Sequence, residues 1–140
     1  MKVVYQHEHT RVIRFDRGED VLALLRQYCE KNGISAGSFW GIGAAKGVTL
    51  AEYDREKKEY KARGLEEMLE IASLTGNISQ DEKTNGVILH AHGVFATLQQ
   101  VYAGHVMRML VGVTCEVTLA ILPGLIRRRL DQNIGLKVLT

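Results

Sequence analysis

An α+β fold is expected from the sequence: a mainly antiparallel β-sheet with one long N-terminal helix packed on it. Three observations point there. Helical periodicity is confined to one segment near the N-terminus, β-branched runs punctuated by glycine dominate from residue 37 onward, and the run 113–121 alternates apolar and polar residues. One helix laid on a sheet is a standard way for such a pattern to close a core. At 140 residues the chain reads as a single domain, 1–140, with room for one core and not two.

Residues 9–15 (His9-Thr10-Arg11-Val12-Ile13-Arg14-Phe15) are β-branched and aromatic enough for an early strand. Asp16 followed by Glu19 reads as a capping pattern for the helix. Val21, Leu24, Leu25 and Tyr28, with Leu22 and Cys29 alongside, recur at helical spacing to about residue 31, where Asn32-Gly33 stops the helix. Residues 37–44 read as a Gly-rich strand and 47–54 as the next, followed by a charged turn at 55–58 and a return at 59–62. Residues 67–74 have high helix propensity, yet Ile71 to Leu74 suit a strand, so propensity leaves them open. Residues 76–86 read as a polar loop. A strand from Val87 to Phe95, its hairpin partner and the alternating run 113–121 complete the chain. In that last run Val113, Cys115, Val117, Leu119 and Ile121 share one face.

The composition excludes several classes. Apolar content of 46% with 24% charged residues is ordinary for a soluble globular protein. No apolar run approaches the ~20 residues a membrane span needs, and the first residues lack a signal-peptide stretch, so a cytoplasmic location without membrane contact is expected. Cys29 and Cys115 form no disulfide framework in that setting. A net charge of +2 and a pI near 8.6 permit nucleic-acid contact without asking for it. The one basic run, Arg127-Arg128-Arg129, reads as a solvated face.

The chemistry concentrates in His90-Ala91-His92 and Gly104-His105. In a strand, residues i and i+2 share a face about 6.6 Å apart. If the chain reverses near Leu98-Gln99, position 92 faces position 105 across an antiparallel hairpin. Three imidazoles on one sheet face form a zinc-type site with an open position. A half-exposed strand that carries histidines without a metal is the alternative, and the absence of an Asn-Gly or Asp-Gly turn weakens the proposed register. His7-Glu8-His9 repeats the spacing, but no third ligand can be assigned to it.

Other candidates carry less. Cys115 lies on the apolar face and reads as a buried structural thiol. Glu116, on the polar face with Thr114 and Thr118, is a candidate acceptor behind a ligating histidine, or simply a solvated glutamate. Gly41-Ile42-Gly43-Ala44-Ala45-Lys46-Gly47 is not a dinucleotide fingerprint, because a strand rather than a helix follows it; its glycines suit bends, bulges or close packing. No Cys-x-x-Cys pair is present.

From Asp16 through Leu122 the sequence resembles the plants-and-prokaryotes-conserved (PPC) domain family. The matching stretches are residues 17–21, 34–44, 70–78, 89–92, 103–105 and 113–117, in that order. They include Gly37-Ser38-Phe39-Trp40-Gly41, Leu89-His90-Ala91-His92 and Ala103-Gly104-His105. The resemblance implies a PPC-like α+β domain that assembles as a homotrimer, with His90, His92 and His105 as metal ligands for Zn2+ or another divalent transition metal. Relatives are often labelled DNA-binding by analogy with plant members that carry a separate AT-hook. This chain departs from that pattern: its only proline, Pro123, stands in Leu122-Pro123-Gly124, and no Arg-Gly-Arg-Pro segment exists. In plants the domain resembles a self-association module, and Glu70 with Ile71 overlaps the segment implicated there.

Two functional readings follow. The first is a trimeric metal-binding PPC protein with a regulatory or DNA-associated role, making at most weak nucleic-acid contact. The second is a zinc-dependent enzyme that uses the open coordination position, with Glu116 or Glu70 as proton acceptor and no catalytic residue fixed. A purely structural metal tying the hairpin together is a third.

Overall fold

Most residues lie in strands that form one hydrogen-bonded system, with a single short helix beside it. The computed structural model describes all 140 residues. In chain order the elements are β1 (Lys2–His7), β2 (Thr10–Asp16), α1 (Val21–Lys31), β3 (Gly37–Asp54), β4 (Glu59–Asp81), β5 (Val87–Ala96), β6 (Val101–Ile121), β7 (Arg127–Asp131) and β8 (Leu136–Leu139). Strand β3 pairs with β4 and β6, and β5 pairs with the same two strands, so β3, β4, β5 and β6 close into a ring. On one side β2 and β1 extend the system from β6; on the other, β7 and β8 extend it from β4. Every pairing is antiparallel except β4 with β7.

The long N-terminal helix is not there: α1 is one 11-residue helix in a mostly β structure. Its start is Asp20 rather than Asp16. The Asp20 carboxylate accepts from the Ala23 N–H at 3.2 Å, whereas Asp16 is held in β2 by its pairing with Thr114. Glu19 serves the turn between them, its carboxylate accepting from the Asp16 N–H at 2.8 Å. The far end is as expected. Gly33 takes a φ of +64°, Ile34 N–H donates to the Cys29 carbonyl at 2.9 Å and Gly33 N–H to that of Glu30 at 3.3 Å, the paired bonds of a Schellman motif.

The strands are longer than the local pattern implies. Residues 37–44 and 47–54 are one strand, bent where its register shifts near Gly43 and Gly47, which have φ of +142° and +84°. Glycine tolerates these angles, so the strand bends without ending. Residues 67–74 and 76–81 also belong to β4, so the helix propensity of the first and the polarity of the second are both overridden. The cause is tertiary: from Glu70 to Ile78 β4 is flanked by β3 and β5 and pairs on both edges. Only residues 82–86 reverse the chain, and the Asp81 carboxylate accepts from the N–H groups of Lys83 and Thr84 there.

The core lies inside the ring and beneath α1. Phe15, Phe39, Phe95, Leu25, Leu69 and Met109 are fully buried, together with Cys29 and Cys115. Alternation in 113–121 holds for Cys115, Val117 and Leu119, which are buried, but Val113 is 59% exposed. Where strands cross closely only glycine fits. A Cβ on Gly76 would lie 2.6 Å from the His90 carbonyl oxygen and 2.3 Å from the Phe39 ring. That contact lets β4 sit flush against the strand carrying the histidines.

Candidate metal centre

The ladder between β5 and β6 places His92 directly opposite His105. A two-residue loop, Leu98-Gln99, sets this register without an Asn-Gly turn. Thr97 N–H donates to the Gln100 carbonyl at 2.9 Å, and the Thr97 hydroxyl accepts from the N–H groups of Gln99 and Gln100. The threonine side chain thus does locally what a turn-forming asparagine would do. His90 stands two residues before His92 on the same face.

The three imidazoles converge. Ring centroids are 5.2 Å apart for His90–His92, 5.2 Å for His90–His105 and 5.4 Å for His92–His105. One nitrogen from each ring lies within 4.8 Å of the others. Tetrahedral zinc with Zn–N near 2.1 Å puts neighbouring nitrogens roughly 3.3 Å apart, so side-chain rotation of about 1.5 Å at most closes the set. A further observation fits a cation there: His105 Nδ1 is buried and has no hydrogen-bond partner, a costly state that a metal bond would relieve.

The electrostatics favour the neutral form of His90 and His105. Burial, with added repulsion from His90, His92 and Arg128, lowers the His105 pKa to about 4. Burial first, then Arg128 and His92, lowers that of His90. A neutral imidazole has the lone pair a metal requires. Around the rings, Tyr60 stacks on His105 at 4.9 Å between centroids, and Tyr53 meets Tyr60 edge-on at 5.1 Å. A cleft of about 430 Å³ opens beside the rings between Glu52, Tyr53, Tyr60 and Leu136.

Arg128 was legible only as part of a basic run, yet it belongs to this site. Strand alternation turns it inward between Arg127 and Arg129, and it is 8% exposed. Its guanidinium donates to Ser79 Oγ at 2.9 Å, the Lys137 carbonyl at 2.8 Å and Asn77 Oδ1 at 3.0 Å, and lies 3.3 Å from His90 Nδ1. Arginine has no acceptor, so His90 Nδ1 accepts here. Asn77 faces His90 across β4–β5. The signal for this shell was Asn77 and Ser79 at strand spacing, hidden by reading residues 76–86 as a loop.

Other candidates lie elsewhere. Glu116 is exposed and pairs with Ile42 and Arg14; Glu70 pairs with Ala44 and Ala96 and lines a separate depression with Met68 and Leu98. Neither lines the cleft beside the histidines. Both thiols are buried, and desolvation pushes each up to about 12, which fits a structural role. His7 and His9 are exposed at the β1–β2 turn and belong to no ligand cluster.

A closed ring of antiparallel strands that presents three histidines on its outer face defines a class of candidate metal protein. The chain belongs to the Plants and Prokaryotes Conserved (PCC) domain family, whose model matches residues 4–123. Among solved structures it is similar to a metal-containing protein from Archaeoglobus fulgidus (32% identity, 100% of this chain and 99% of that one, TM-score 0.88). It is also similar to a candidate DNA-binding protein from Bacteroides thetaiotaomicron (25% identity, 97% and 94%, TM-score 0.91). A third likeness is to a plant- and prokaryote-conserved protein from Pyrococcus horikoshii (28% identity, 94% and 92%, TM-score 0.82). No curated protein matches the chain. No helix is long and apolar enough to cross a membrane.

The depressed His105 pKa has a consequence for the metal-free protein. Between about 6.5 and 4 the unfolded chain takes up a proton at this position that the folded chain refuses. The stability it contributes is full above pH 6.5 and is lost as pH falls through that window. Thermal unfolding in the presence of a chelator should show a declining melting temperature from pH 6.5 to 4, and His105→Gln should make that decline shallower. An identical acid limb in the variant would refute the assignment.

Proposed function

We propose that the chain is a trimeric metal-binding protein of the PCC family, with His90, His92 and His105 as ligands to Zn2+ or a related divalent transition metal. The observation that carries this reading is the convergence of three imidazoles, one of which, His105, has a buried nitrogen without a hydrogen-bond partner. Similarity at 32% identity to a metal-containing protein supports it. Three protein ligands leave a position open, which is the arrangement of a working site rather than a purely structural one. When bound, such a metal supplies Lewis acidity at that position.

The chain's own residues would do the rest. Tyr60 packs on His105 and holds the ring plane. Asn77 and Ser79 hold Arg128 beside His90. The second reading is an enzyme. It is favoured by the cleft beside the histidines, whose one carboxylate is Glu52; Glu70 and Glu116 are too far along their strands to serve.

Nucleic-acid binding is proposed only as a weak and salt-sensitive property. The basic run offers no patch: Arg128 is buried, Arg129 lies 4.0 Å from Glu82, and Arg127 contacts Asn85. For assembly, Trp40 and Ile42 on β3 and Val113 on β6 are 50%, 59% and 59% exposed, large apolar groups on an outward face that a partner copy would cover. A cytoplasmic location is part of the same proposal.

Alanine at His90, His92 or His105 should each remove most of the bound zinc in elemental analysis after mild chelation, while His7→Ala and His9→Ala retain it. Stoichiometric zinc in a His90/His92 double alanine variant would sink the ligand set. Light scattering at micromolar concentration should give three times the chain mass of 15.6 kDa; a monomer across that range would remove the trimer. Against a random duplex pool, binding should carry no sequence preference and fall away as salt rises. Enrichment of a defined sequence that survives higher salt would make DNA recognition the primary function.

A further inference from the structure

Arg128 is the buried arginine of the site, and no carboxylate pairs with it. The solvent-facing Arg14, Arg108 and Arg129 each have one. Its opposite number across β4–β7 is Asp81, but the Asp81 carboxylate is taken by Lys137. All the partners that hold the guanidinium are therefore neutral: Ser79 Oγ, Asn77 Oδ1, the Lys137 carbonyl and His90 Nδ1. A buried charge is stable when hydrogen bonds and an opposite charge both compensate it. Here the hydrogen bonds are present and the opposite charge is missing.

Metal loading changes one of those contacts. Whichever ring nitrogen of His90 takes a metal, Nδ1 ceases to accept from Arg128, because it then holds either the metal or the ring proton. One Nη2 N–H is thereby released. Nη1, whose one recorded partner is the Lys137 carbonyl, has a second N–H to spare. Free N–H groups on both terminal nitrogens are the fork that grips a carboxylate. The same event brings a divalent cation close to an uncompensated guanidinium, so an anion between them relieves both.

We propose that the metal-loaded site binds a small monocarboxylate with an apolar body, its carboxylate shared between Arg128 and the open metal position. This rests on the three-histidine metal site proposed above. The space is a cleft of about 480 Å³ reaching from Tyr60, His90 and His105 past Arg128 to Ile88, Leu130, Leu136 and Val138, a size suited to a small ligand. Its walls select the class. Lys137 is committed to Asp81, leaving a single organic cation, which matches one carboxylate better than a doubly charged phosphate. The aliphatic side chains match a hydrocarbon or aromatic body.

Calorimetric titration of the zinc-loaded protein with phenylacetate, phenylacetamide and inorganic phosphate tests this, with zinc content measured on the same samples. Phenylacetate should bind, and phenylacetamide and phosphate should bind more weakly. Arg128→Gln should weaken phenylacetate binding by about tenfold or more, as expected for loss of a charge-assisted bidentate pair. Arg128→Lys keeps the charge and the stem but not the fork. It should fold, retain zinc and also lose affinity. By linkage, phenylacetate should raise the wild-type affinity for zinc, measured at equilibrium against a competing chelator. Zinc-loaded protein that binds acid and amide alike, that prefers phosphate, or that is unaffected by Arg128→Lys would overturn the carboxylate site alone. Failure of the wild type to hold zinc would overturn the metal reading and this proposal with it.

Discussion

The hydrogen-bonded register between β5 and β6 sets His92 opposite His105, and because β5 also pairs with β4 the same ladder closes the ring of β3, β4, β5 and β6. A slip of one residue would turn His90 and His92 into the core and Ala91 and Phe95 out of it. Burying Phe95 and Ala91 inside the ring therefore selects the register that puts the imidazoles outside. Core packing and ligand geometry are set by the same constraint. A stable fold and a preorganised histidine face come together.

The outer face is finished by parts of the chain distant in sequence. The β7–β8 hairpin lays Arg128 and Leu136 along the histidines. Tyr53 and Lys58, near the β3–β4 turn, hold it through bonds to the carbonyls of Ile134 and Gln132. These contacts shelter His90 and His105 enough to depress their pKa values while His92 stays exposed. The result is a shallow, mostly neutral site with one unpaired guanidinium beside it. An exposed third ligand gives a metal a way in, and the sheltered pair keeps its lone pairs free of protons.

Much of this was legible in the sequence because it depends on period two and on one reversal. His90 and His92 at strand spacing, and the fold-back at Leu98-Gln99, placed all three histidines correctly. Cys115 and the Schellman stop at Asn32-Gly33 were read correctly for the same local reasons. What failed was whatever depended on tertiary partners. The helix was expected to be long, but the β2–β6 ladder holds Asp16 extended and Asp20 starts the helix four residues later. Asn77 and Ser79 looked like loop residues because polar side chains facing a buried arginine resemble polar side chains facing water. Arg128 looked solvated because no sequence signal says which side of a short strand another hairpin will cover.

The coordination sphere itself is the most direct point of contact between this account and the molecule. X-ray absorption at the metal edge of the zinc-loaded protein should give a shell of nitrogen and oxygen scatterers near 2.0–2.1 Å with the multiple-scattering pattern of about three imidazoles and one lighter ligand. A sulfur shell near 2.3 Å, or a spectrum without imidazole multiple scattering, would contradict a three-histidine centre on β5 and β6.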